Sequence, residues 1–130
     1  MRDLRPLLDK LLPDLVDFRR DLHQHPECSY REERTAARVL ERLKEIPDIE
    51  LRTGVAGTGI VATLAGDKAG PCVALRADMD ALPIEEQSSV PHRSQVAGTM
   101  HACGHDGHTT CLLGAAQMLA ACVDELQGPV

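Results

Sequence analysis

Apolar positions open the chain at helical spacing. Leu4, Leu7, Leu8, Leu11, Leu12, Leu15, Val16 and Phe18 recur close to every third or fourth residue, which predicts a helix over Leu4–Leu22. Pro6 and Pro13 leave two readings open: one helix, or a short lead-in and then a helix from Pro13. A turn at His25-Pro26 follows. Glu32–Ile46 then places Ala36, Ala37, Val39, Leu40, Leu43 and Ile46 on one face, predicting a second amphipathic helix that Pro47 ends.

The period changes beyond Pro47. Glu50–Thr53 reads as a short extended stretch, followed by Gly54, Gly57 and Gly59. Ile60–Leu64 alternates and is β-branched, and after a turn at Asp67–Gly70 the run Pro71–Ala77 is almost continuously apolar. Short runs bounded by turn residues predict strands of a covered sheet. Pro83–Gly98 is polar without a period and reads as a loop. Thr109–Leu126 is nearly all apolar and predicts a helix buried on most sides. This order of elements suggests an α/β fold with helices packed on a sheet.

Composition narrows the picture only at a few points. The 130 residues include one Phe, one Tyr and no Trp, so Leu, Val, Ala and Ile must build the core. A formal net charge of −6 argues against a nucleic-acid partner, which selects a basic surface. No apolar run reaches the roughly 20 residues that cross a bilayer. The N-terminus shows no signal-peptide pattern, so the cytoplasm is the expected compartment. Five cysteines without a secretory signal read as reduced thiols. Cys72, Cys111 and Cys122 stand in apolar contexts and are expected to be buried.

Chemistry concentrates in Met100–His108, MHACGHDGH. His101, Cys103, His105, Asp106 and His108 fall within nine residues, and thiolate, imidazole and carboxylate are the common ligands of zinc and its neighbours. Read as the end of an extended strand, the stretch puts Cys103 and His105 on one side, able to reach one ion or bridge two. Gly104 and Gly107 let the backbone pass close to a metal or substrate. The spacing matches no closed structural zinc motif, so an open, catalytic type of site is the better reading. In LRADMDALP, Asp78 and Asp80 lie two apart, where one could hydrogen-bond a metal-bound imidazole or hold a metal directly. They could equally be solvated or cap the next turn. The His23 and His25 pair in HQHPE reads as structural, satisfying helix C-terminal carbonyls, and His92 as an ordinary loop histidine.

DLHQHPE, EERTA, GTGIVATL, LRADMDALP and MHACGHDGH together resemble the metallo-amidohydrolase and peptidase family of hippurate hydrolase, N-acyl-amino-acid amidohydrolase and indole-acetyl-amino-acid hydrolase. The motifs stand in the family's order along nearly the whole chain. The resemblance implies a three-layer α/β/α catalytic domain, here residues 1–130 as an N-terminal part without the family's dimerisation domain. It implies two divalent ions, zinc or manganese with cobalt or nickel possible. It also implies hydrolysis of the amide bond of N-acyl amino acids or related small molecules by metal-activated water, in an enzyme that dimerises.

Carried over, Cys103 and His105 are metal ligands, and Asp80 is a catalytic-site carboxylate that orients a ligand. Asp78 stands where wider-family members carry a ligand histidine, and His108 lines the substrate site. The family's general-base glutamate and its further histidines lie beyond Val130, so this stretch is expected to be inactive alone. The alternative is a catalytically dead fragment that binds metal weakly or pairs with another chain. A redox or metal-storage role for Cys103 is weaker, since no cysteine lies at Cys-x-x-Cys spacing.

Overall fold

The computed structural model describes residues 2–130. α1 spans Arg5–Gln24 as one helix. Pro6 sits in its first turn, where no amide bond is lost, and Pro13 is carried within it, so the single-helix reading is the correct one. α2 spans Glu33–Leu43, shorter at both ends than its apolar pattern suggests. β1 (Glu50–Val55) and β2 (Gly59–Thr63) form an antiparallel hairpin pairing Glu50 with Thr63 and Arg52 with Val61. α3 spans His105–Ala120, and a single 3₁₀ turn covers Val123–Glu125.

The core is aliphatic with one ring. Leu15, Phe18 and Leu22 of α1 meet Val39 and Leu43 of α2, Ile46, Leu64 and Leu113 of α3. Leu22 is fully enclosed, and burying a side chain of this kind contributes about 1.5–3 kcal/mol. α1 and α3 pack directly on each other, and that contact brings the end of α1 to the start of α3.

Two expectations require correction. Pro71–Ala77 is not a strand: among the described residues it adopts no regular structure, and Val73 and Leu75 are 53% and 52% exposed. A continuous apolar run becomes a buried strand only when both faces and both edges find partners. Here one edge meets Gln127–Val130, through Gly70 N–H to Gln127 O and Val73 N–H to Pro129 O, and residues 71–76 are exposed. The thiols also depart from expectation. Cys72 lies on this open segment, Cys111 points outward from α3, and both are exposed, while Cys122 is half-buried. All five thiols are free.

Candidate metal centre

The chemistry-bearing stretch opens α3. Instead of ending a strand, it makes a turn at residues 101–103. Gly104 then swings through the left-handed region at φ +80° and becomes the N-cap. His105 is the first residue of the helix, so the expected strand-end geometry for Cys103 and His105 is replaced by a turn-to-helix junction. α3 accordingly starts four residues before the expected Thr109, because polar residues of its first turn interrupt the apolar pattern by which a helix is recognised.

At this junction His105 meets Asp80. Its Nδ1 lies 2.9 Å from Asp80 Oδ1 and 2.9 Å from the Asp80 main-chain oxygen. Both partners accept, so Nδ1 donates and Nε2 is left as the free donor atom, the arrangement typical of a metal-binding imidazole. The other carboxylate oxygen of Asp80, Oδ2, accepts from Ser29 Oγ at 2.5 Å. The Ser29 hydroxyl, with His105 behind it, holds the Asp80 carboxyl below the usual aspartate range against the opposing effect of burial.

The remaining expected residues are placed unevenly. Cys103 is an exposed free thiol in the turn before the helix. His108 follows on α3 with its ring 5.6 Å from that of His105. Asp78 comes near α3 through its main chain, whose oxygen accepts from Thr109 Oγ1 at 3.0 Å. Its carboxylate is paired with Arg76 at the surface, 2.5 Å away. No group of three or more histidine, cysteine or acidic side chains is gathered to hold a metal among the described residues. The donor chemistry of Cys103 and His105 fits a zinc-type ion, as part of a set that takes at least three protein ligands.

Behind the junction lies a buried polar cluster that sequence reasoning missed. Asp106, fully enclosed, accepts at Oδ2 from Arg19 Nε at 2.8 Å and from His23 Nδ1 at 2.8 Å. His23 Nε2 stands 3.4 Å from Glu86 Oε1, and the ring of His92 lies edge-on to it. Burial opposes ionisation of Glu86. The Ser88 hydroxyl, the Ser94 amide and His23 outweigh it and bring the carboxyl down to about 2. His101 is buried with both ring nitrogens unpartnered, and that burial pushes its imidazole down. His25 does satisfy a carbonyl, that of Asp21 at 2.8 Å, whereas His23 serves carboxylates. The spacing of Arg19 and His23, four apart on α1, was the available signal that they share a face.

Residues 74–130 match the model of peptidase family M20/M25/M40. Over 128 residues the chain is 43% identical to N-acyl-L-amino acid amidohydrolase of Geobacillus stearothermophilus, covering 98% of this chain and 34% of that protein. In sequence and fold the chain is similar to M20 peptidases. A second relative, N-acetyl-L-cysteine deacetylase of Bacillus subtilis, is 48% identical over 123 residues, 95% of this chain and 29% of that one. The crystal structure of the Bacillus subtilis YXEP protein, described as a dinuclear metal binding peptidase from the M20 family, superimposes with a TM-score of 0.88 at 44% identity. That match covers 94% of this chain and 34% of the YXEP chain. The chain thus spans about a third of the length of the relatives it matches. Its helices and small hairpin correspond to part of their α/β fold.

Proposed function

We propose that this chain supplies the Cys103–His105 part of a two-metal centre in an amidohydrolase that cleaves N-acyl amino acids or related small amides. The observation that carries the reading is the pair formed by His105 Nδ1 and Asp80 at the mouth of α3. Asp80 holds Nδ1, which leaves Nε2 as the ligand atom, and the exposed Cys103 thiol offers the second donor. Two divalent ions, zinc or manganese, would supply carbonyl polarisation and a water made nucleophilic near neutral pH.

The chain's own residues then have separable tasks. His105 and Cys103 bind, and Asp80 orients His105. His108, beside His105 on the exposed side of the first turn, lines the approach of the acyl substrate. The positive end of α3 favours an anionic group such as the substrate carboxylate. The carboxylate that touches His105, Asp80, is engaged by His105 and Ser29, and Asp106 is fully enclosed. We therefore expect this stretch to be inactive by itself.

The purified chain tests this through metal content, cobalt spectroscopy and hippurate hydrolysis on one sample. We expect a cobalt–thiolate absorption that disappears in Cys103→Ala, with no turnover. Cobalt binding that ignores both Cys103→Ala and His105→Ala would remove the metal reading, and turnover by the chain alone would remove its inactivity.

A further inference from the structure

The turn after α1 holds no proposed ligand, yet it contacts the Asp80 of the Asp80–His105 pair. Its Glu27 side chain caps α2, accepting from Arg34 N at 3.0 Å, Thr35 N at 2.7 Å and Thr35 Oγ1 at 2.8 Å. The Glu27 main-chain oxygen accepts from Ala81 N at 2.7 Å, and Cys28 forms a parallel bridge with Ala81. This fastening sets Ser29 opposite Asp80, with Oγ 2.5 Å from Oδ2. The His-Pro-Glu-Cys-Ser turn is thus tied at one end to the start of α2 and at the other to the carboxylate that holds His105.

We propose that Ser29 is a positioning residue for the metal centre: its hydroxyl fixes Asp80 Oδ2 so that Oδ1 stays on His105 Nδ1. A carboxylate turns easily about its last torsion, since such sp³–sp² bonds have broad minima. With Oδ2 tied, the plane of the group is set and Oδ1 is aimed. A neutral hydroxyl does this without a cation competing with the imidazole for the carboxylate. Ser29 is solvent-exposed, so water is the competitor. A water molecule restores the hydrogen bond and loses the direction, because it is not anchored to the Ala81 backbone.

The inference rests on the metal-centre reading for its purpose, while its geometry is tested without metal. Nitrogen-15 long-range correlation spectra of the chain report which ring nitrogen of His105 carries the proton. The wild type is expected to show Nδ1–H, Ser29→Ala a mixture with Nε2–H, and Ser29→Thr the wild-type pattern. Cobalt titration on the same samples is expected to show affinity about three- to tenfold weaker in Ser29→Ala, below the full effect of losing the group that touches the ligand. Amide spectra confirm that the exposed substitution leaves the fold intact. An unchanged tautomer and affinity in Ser29→Ala would overturn the proposal, as would a Ser29→Thr chain behaving like Ser29→Ala. A tautomer shift in a chain that binds no cobalt would leave Ser29 as the orienting group and sink the proposed function instead.

Discussion

His23 Nδ1 lies 2.8 Å from Asp106 Oδ2, joining the last turn of α1 to the first turn of α3 through a carboxylate with no solvent exposure. Arg19 Nε reaches the same oxygen from one turn earlier. An enclosed carboxylate is tolerated only when paired and hydrogen-bonded, and α1 provides both partners. Because Asp106 follows His105 directly, the pairing also sets where the candidate metal donors sit.

Asp106→Ala strips that acceptor from two donors. Breaking a buried pair costs about 3–5 kcal/mol, and the lower end is expected because Arg19 keeps access to water. Urea unfolding with an unchanged slope checks it; a loss well below that range would mean that the α1–α3 contact is carried by Leu15, Leu22 and Leu113 alone.

Asp80→Ala removes the carboxylate from His105 and leaves the main-chain acceptor in place. Metal affinity should fall roughly 10-fold, the gentle end of the usual effect of losing a group that orients a ligand. Competition with a chromophoric chelator measures it, and circular dichroism should be unaltered.

Glu86 makes stability depend on acid. Its carboxyl is lowered from 4.5 to about 2 in the folded chain, so the unfolded chain takes up the proton first as pH falls. The contribution is therefore complete above about pH 4.5 and is lost as pH drops toward 2. Glu86→Gln should flatten thermal stability against pH across that window, and an equal slope in both proteins would contradict the assignment.

Gly104→Ala probes backbone strain alone. The residue holds φ +80°, and an added Cβ would meet nothing within 4 Å. The cost is that of the left-handed conformation, about 1–2 kcal/mol, seen as a lowered melting temperature without a local clash. Since Gly104 turns the chain between Cys103 and His105, cobalt binding should weaken in step.

Much of this was legible in the sequence, and the exceptions have physical causes. α1, α2 and the two short strands followed from period and turn residues, while the pairing of the strands did not. The apolar body of α3 was visible, but its first turn was hidden, because His105, Asp106 and His108 are polar and only the φ of Gly104 marks the entry. Residues 71–77 carry a strand's composition without a strand's neighbours, a fact that composition cannot report. The Asp80–His105 contact spans 25 residues and rests on the family resemblance rather than on spacing. The Arg19–His23–Asp106–Glu86 cluster joins three distant segments, and pairing at such separation leaves no periodic trace.

The open path of residues 71–77 bears on how the site can fail. Among the described residues, none of the amides from Ala74 to Asp80 donates to a backbone carbonyl, whereas His105 belongs to a helix packed against α1. Asp80 therefore arrives at the end of a run without backbone hydrogen bonds and His105 on a helix packed against α1. Protection against hydrogen exchange should differ accordingly, with this run opening at a free energy well below that of global unfolding. The two halves of the pair can part while every helix stays folded, so metal would be lost by local opening before any loss of helix is measurable.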